Sequence, residues 1–370
     1  MSSPVNMRDI AARAGVSIAT VSMSLRNRPN ISPELRRRIR ALARRMGYEP
    51  NPYVSALMRE RRHGRAQTTR PLLALLSGLD HPDAWKQSPS PTRRAIREGV
   101  LARGTQLGYD VEEFWLHPQG LSDDAFSELA GKRGVSGVVI GPLAEGAPPP
   151  ALRWQDFSAI SISVPLQSLT LRTVSNDNYF TSLRAVTECH RLGYRRPGLV
   201  LRDVHRQRFQ GRWEAGFATA QSLLPGTATI RPFLIDDQQD LARFPLKRFQ
   251  AWLARERPDV IVTMAADLIE RVLAGEGLRI PDDIGLASLS CPEKGHRYSG
   301  VYQNGHFIGA TAIDLLVGMI ERRETGLPEQ AIATMVEGVW NPGTTLCERA
   351  VPAPSVRRRR QAGAASMAAV

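Results

Sequence analysis

Two hydrophobic rhythms divide the chain. Up to Met46 the apolar positions recur at helical spacing; from Pro71 they gather into short solid blocks separated by amphipathic stretches. In the first region Asn6 is a cap for a helix beginning at Met7, with Asp9 three residues on. Ile10, Ala11 and Ala14 make its apolar stripe, and Gly15 offers the positive φ that ends it. Ser17 caps a second helix over about 18–25, in which Val21 and Leu25 share one face and Ala19, Ser22 and Met23 another. Ser32-Pro33 opens a third helix that buries Leu35, Ile39, Leu42 and Met46 and stops at Gly47. Three short helices with a tight glycine turn between the first two predict a helix-turn-helix.

The second rhythm predicts alternating strands and helices. "PLLALLSGL" (71–79), "YDVEEFWL" (109–116), "SGVVIG" (136–141) and "SAISISV" (158–164) read as strands, with helices at roughly 92–107, 122–132 and 149–156. A second series follows with strands at 197–201, 230–235, 258–264 and 284–290, and helices near 178–192, 205–222, 239–256 and 266–276. Two β/α series of similar size imply an α/β core of two parallel-sheet lobes. Ligands of such sheets bind at the carboxyl ends of the strands.

Charge sharpens the division. The 370 residues carry a formal net charge of +13, and residues 1–70 hold fifteen arginines against four acids. Residues 348–370 hold five more arginines against one glutamate, which leaves −2 for the long middle. A basic head on a near-neutral body predicts a polyanion-binding module joined to something else. The three cysteines are far apart and lack any metal-ligand spacing, no leader-like apolar core is present and no run reaches the ~20 apolar residues of a membrane span. The expectation is a cytoplasmic protein associated with the nucleoid, with no membrane partner. P-loop, G-x-S-x-G and HExxH motifs are absent and the seven histidines do not cluster, so neither an enzyme, a cofactor nor a metal is expected.

"GVSIATVSMSL" (15–25) is bare, yet arginines crowd both flanks. A helix that must enter a major groove about 12 Å wide cannot be bulky where it meets the duplex. Short hydroxyls at Ser17, Thr20 and Ser22 suit phosphate contact, and the arginines supply counterion release.

"MRDIAARAGVSIATVSMSLRNRPNISPELRRRIRALARRMGYEPNP" resembles the N-terminal module of the lactose/galactose-repressor family of bacterial transcription regulators, through "DIAARAGVS.ATVS..L" and "GY.PN", and the resemblance runs on to about residue 346. It implies a multi-domain chain: an all-α helix-turn-helix DNA-binding head over 1–49, a hinge helix and linker over 50–70, and a periplasmic-binding-protein-like core over 71–346. Within that core the first lobe takes about 71–162 and 304–330 and the second about 163–303 and 331–346, with crossings near 163, 291–303 and 330. A basic, disordered tail is expected over 347–370.

The implied function is regulation of transcription, by habit of the family repression, through a homodimer on a palindromic double-stranded DNA operator. A small carbohydrate-like effector in the interlobe cleft would control it. An activator of the same family is the alternative reading; a helix-turn-helix fused to a sugar-processing enzyme is the remote one. By resemblance Ile18, Ala19 and Met23 read base edges, while Ser17, Thr20 and Ser22 hold phosphates. Met23 stands where relatives commonly have an arginine suited to guanine, which shifts the expected operator preference. Either Ile18 reads bases, or it turns inward beside Leu25 and leaves Ala19 and Met23 as readers. Leu57 aligns with a leucine that wedges into the minor groove.

For the effector the candidates are Trp85, Asp177, Arg212, Trp213, Asp267 and Ser290. Asp177 and Asp267 serve either as ligand contacts or as helix caps. Trp213 stacks on a sugar face or belongs to the core, with Arg212 one position from the family's effector arginine. Trp85 closes over the cleft or lies in a proline-rich surface loop, and Ser290 replaces an aspartate that binds sugar hydroxyls in relatives.

Overall fold

The computed structural model describes residues 7–25, 31–46, 70–144, 146–162, 169–236 and 244–350, apart from the side chains of Ala19, Ser22 and Arg44. Asn6, Gly47, Leu57, the supposed crossing near 163, residues 237–243 and the tail from 351 lie outside them. The chain divides into two compact units at Thr69/Arg70.

The head holds helices α1 (Met7–Ala14), α2 (Ile18–Leu25) and α3 (Pro33–Arg45). Gly15, at φ +67°, turns the chain between the first two, and Ser17 then accepts the Thr20 N–H at 3.0 Å to start α2. Ile10, Ala11, Val21, Ile39 and Ala43 are buried together, with Leu35, Leu42 and Met46 packed around them. Arg38 is drawn into the fold: its guanidinium donates to the Ala14 carbonyl at 3.2 Å, satisfying an end of α1 that has no partner within the helix.

The core holds two six-stranded sheets. The first contains β1 (Leu72–Gly78), β2 (Asp110–Trp115), β3 (Val135–Leu143), β4 (Ser158–Ile162), β5 (Arg172–Asn176) and β11 (Ala333–Val336), in spatial order β11-β5-β4-β3-β1-β2. The second contains β6 (Pro197–Arg202), β7 (Phe233–Ile235), β8 (Val260–Thr263), β9 (Gly285–Ser288), β10 (Ser299–Tyr302) and β12 (Val339–Asn341), in order β12-β10-β9-β8-β6-β7. Ladders are parallel throughout except β10 with β12, which is antiparallel. The central strands are apolar without alternation because helices cover both of their faces. Four hydrophobic clusters result, two for each sheet.

Lobe membership departs from the expectation. Arg172–Asn176 pairs in parallel with β4, Ser161 opposite Thr173, so the chain stays in the first lobe past 163 and crosses only at Asp177. The other crossings fall at Gln303–Asn304, between β10 and the long helix Gly305–Arg322, and at Glu337–Gly338, between β11 and β12. The region 149–156 forms only a 3-10 turn at Trp154–Asp156, because three consecutive prolines, Pro148 to Pro150, withhold the N–H groups a helix needs. The helix expected at 205–222 is two, Asp203–Arg208 and Arg212–Leu223, broken where Gln210 and Gly211 both adopt positive φ. Cys347 to Arg349 belong to the folded core rather than to a free tail. The Arg349 N–H reaches the Leu192 carbonyl at 2.8 Å, and its guanidinium stacks 4.7 Å over the Tyr194 ring.

In the first lobe the helices Pro91–Gln106 (hereafter α4) and Gly305–Arg322 meet backbone to backbone. A Cβ on Gly309 would fall on the Ile96 carbonyl, and one on Gly99 on the carbonyl of His306, so glycine is what permits the contact.

Candidate functional site

Two regions carry candidate chemistry, one in each unit. In the head, α2 turns Val21 and Ser24 fully inward, which places positions 18, 19, 22 and 23 on the opposite arc. Ile18 is 44% exposed and Met23 half-exposed, so Ile18 does not turn inward beside Leu25, which packs on the head's core. Thr20 lies at the edge of the buried arc, its hydroxyl 2.8 Å from that of Ser17. One of these two hydroxyls donates to the other, leaving a single O–H free to meet a phosphate oxygen. Ala19 and Ser22 occupy the outward arc of α2 by position. Leu57 lies outside the described residues.

In the core, each of the three crossings touches the carboxyl end of a strand: β5 into Asp177, β10 into Gln303 and β11 into Glu337. The carboxyl edges of the two sheets therefore face one another across a cleft. The Thr92 hydroxyl, in the first turn of α4, lies 3.0 Å from that of Ser290, just beyond β9. Arg212 extends from the second lobe to Met335 on β11, its Nη1 3.4 Å from the sulfur. Gln303 is buried and donates to the Leu289 carbonyl at 2.8 Å, fixing the second crossing.

Thus Ser290 and Arg212 lie between the lobes, and other candidates are occupied elsewhere. Asp177 is a helix cap: its Oδ1 accepts the Phe180 N–H at 2.9 Å. Asp267 caps nothing; it accepts the Tyr298 hydroxyl at 2.7 Å in a cluster that also holds Glu270 and Arg297. There Arg297 holds the Glu270 carboxyl below the usual carboxylate range, and burial pushes the Tyr298 phenol up. Trp85 is no exposed lid. Only 3% of it is exposed; its Nε1 donates to the Arg93 carbonyl at 2.8 Å and its ring lies against Gly141. Trp213 is 1% exposed inside the second-lobe core, edge-on to Phe209, and presents no open face to a sugar.

Two cleft residues escaped the sequence reading, Thr92 and Arg93. A signal for them existed. Ser90 followed by Pro91 announces a helix start, here at the end of the loop that leaves the carboxyl end of β1, where first-turn side chains approach a ligand site. Arg93 is partly buried, and that desolvation holds its pKa below the usual arginine value. Among the described residues no group of ≥ 3 His, Cys, Asp or Glu could hold a metal, and no helix is long and apolar enough to cross a membrane.

Comparison with known proteins gives two matches to family models. Residues 6–51 match the lacI family of bacterial regulatory proteins, and residues 186–339 match the periplasmic binding protein-like domain. Over 294 residues the chain is 25% identical to the HTH-type transcriptional regulator MalR of Streptomyces coelicolor, covering 76% of this chain and 79% of that protein. It is 22% identical over 336 residues to the HTH-type transcriptional regulator KdgR of Bacillus subtilis, covering 87% and 93%. Among solved structures, a complex of the transcriptional regulator CelR with cellobiose superposes with a TM-score of 0.53 at 19% identity, covering 92% of this chain and 99% of that one. A LacI family transcriptional regulator from Enterococcus faecium with bound ribose gives 0.53 at 16%, covering 75% and 100%. These superpositions establish a shared fold: a helix-turn-helix head and a two-lobed α/β core.

Proposed function

We propose that the chain, whose residues 6–51 match the lacI family of bacterial regulatory proteins, is a DNA-binding regulator of transcription of that family and represses by binding a palindromic operator as a homodimer, under control of a carbohydrate-like effector. The observation that carries the reading is the outward arc of α2, where Ile18 and Met23 stand clear of a core that takes Val21 and Ser24 from the same eight residues. Ile18, Ala19 and Met23 read base edges. Ser17, Thr20 and Ser22 meet phosphates, with the arginines of the head adding sequence-independent attraction. Met23, lacking any donor, favours apolar contact such as a thymine methyl.

Leu57, in the segment 50–70, acts as the minor-groove wedge, and two copies from a dimer bend the duplex together. The effector lies in the interlobe cleft, touching Ser290 and Arg212 and altering how the lobes sit. Its leverage on operator affinity equals its differential affinity for the two states, typically about 1–3 kcal/mol. The protein acts in the cytoplasm on chromosomal DNA. Support for the effector class comes from the two sugar-bound regulators that share the fold.

Selection of bound duplexes from a random pool, with the full-length protein, tests this reading. The expected product is a two-fold symmetric motif with a fixed centre, bent on binding by the wild type and much less by Leu57→Ala. Salt-sensitive binding without any motif would count against α2 as a base reader.

A further inference from the structure

The first two turns of α4 contain three arginines, and two have partners. Arg94 donates through Nη1 to the Ser88 carbonyl, and Arg97 forms a two-point pair with Glu113. Arg93 forms no hydrogen bond through its guanidinium and no ion pair with any described residue, and it is partly withdrawn from water. A partly desolvated guanidinium with no protein partner has its donors available to an anion.

Where the side chain points follows from the helix. Arg93 precedes Ile96 and Val100 by three and seven positions, and both of these lie in the first-lobe core, so Arg93 is on the sheet-facing side. Helix side chains lean toward the N-terminus, which carries this one past the start of α4 and over the carboxyl edge of the first sheet. The adjacent Thr92 makes the cross-lobe contact with Ser290, which puts the same turn at the cleft. Its backbone is pinned at both ends: the N–H to the Ser90 hydroxyl at 3.4 Å and the carbonyl to Trp85 Nε1 at 2.8 Å. The positive end of the α4 dipole adds to the charge. Two carboxylates near the strand ends are already engaged: Asp177 caps a helix and Asp203 accepts from Gln207.

We propose that the effector is anionic, a polyhydroxylated metabolite bearing a carboxylate or a phosphate, and that Arg93 binds the charge while Thr92 and Ser290 meet neighbouring hydroxyls. This deepens, and rests on, the reading of the cleft as the effector site.

The test is calorimetric unfolding of the full-length chain with glucose, glucuronate, glucose 6-phosphate or inorganic phosphate, for the wild type, Arg93→Gln, Arg93→Lys and Arg94→Gln. At least one anion is expected to raise the core transition of the wild type with an apparent affinity about ten- to a hundredfold above that of glucose, the range of a charge-assisted hydrogen bond. Arg93→Gln loses that preference; Arg94→Gln, whose guanidinium serves the Ser88 carbonyl, keeps it. Arg93→Lys separates the two sources and serves if the glutamine variant does not fold. A phosphate tolerates a lysine point charge, whereas a carboxylate loses its two-point contact. An anion response equal in wild type and Arg93→Gln, or a response to glucose alone, overturns the anionic site and leaves the cleft reading standing. No response to any of the four probes overturns both.

Discussion

The head and the core build their candidate sites in opposite ways. In the head, the outward arc of α2 is drawn from within six consecutive positions, Ile18 to Met23, while Val21 among them joins a core of five buried side chains. In the core, the cleft is made by residues far apart in the chain: Thr92 meets Ser290 across 198 positions and Arg212 meets Met335 across 123. A site carried by one helix needs only that the helix be held by one face. A site made between two sheets needs both sheets, their order and every crossing to be right. The head should therefore fail alone when its few core side chains are trimmed, while the cleft should respond to changes in packing at a distance.

The largest effect expected from this contrast is Ile39→Ala. Its side chain is fully buried at the centre of the head, and such a truncation costs about 2–5 kcal/mol. In scanning calorimetry the head transition should drop or vanish with DNA binding, while the core transition stays in place; a joint fall of both transitions would mean the two units do not unfold independently. The counterpart in the core is Gly309→Ala, which drives a methyl group into the Ile96 carbonyl of the facing helix and costs about 1–3 kcal/mol. The core transition should fall and DNA binding by the head should persist at temperatures below it.

Met23→Arg is a smaller change that sharpens the reading of α2. A bidentate arginine–guanine contact is worth about 1–3 kcal/mol of discrimination, so one symmetric base pair in each half-site should move toward G·C. An unchanged selected motif would remove Met23 from the readers. Smallest is the acid response of the Arg297–Glu270 pair. Because the folded carboxyl is held below its ordinary value, its contribution is present above the unfolded pKa and is lost as pH falls through the folded one. The pair is partly exposed, so well under 1 kcal/mol is at stake. Arg297→Gln should lower the core transition slightly near neutral pH, and the gap to wild type should close as pH falls through the lowered Glu270 pKa. A gap that stays constant with pH would show that the charge pairing contributes nothing.

The alternation of strands and helices was legible along most of the core, from Leu72 to Ser288, because solid apolar blocks of buried parallel strands differ sharply from amphipathic helices. Four strands were not: "RTVSN", "SGVY", "ATMV" and "VWN" are three to five residues long. That length holds too few periods to reveal a rhythm, and two of the four, "ATMV" and "VWN", are edge strands with exposed or half-buried residues. Missing Arg172–Asn176 moved the first crossing from Asp177 to near 163, since only pairing with β4 shows which lobe the strand serves. Trp85 misled in the same way. An aromatic among prolines and serines reads as a surface lid, yet its indole fills the space beside Gly141 and holds the Arg93 carbonyl.

By itself the sequence determined the three helices of the head, the outward arc of α2, the arginine surplus of residues 1–70 and the presence of two β/α series. Each of these is set within a few turns of chain, by caps, by glycine at positive φ and by periodicity. Tertiary structure alone decided the crossings, the burial of both tryptophans and the roles of three nearby arginines. Arg93, Arg94 and Arg97 are the same residue type in one helix. What separates them is that a carbonyl accepts from the second, a carboxylate on a neighbouring strand pairs with the third, and no described side chain or carbonyl pairs with the guanidinium of the first.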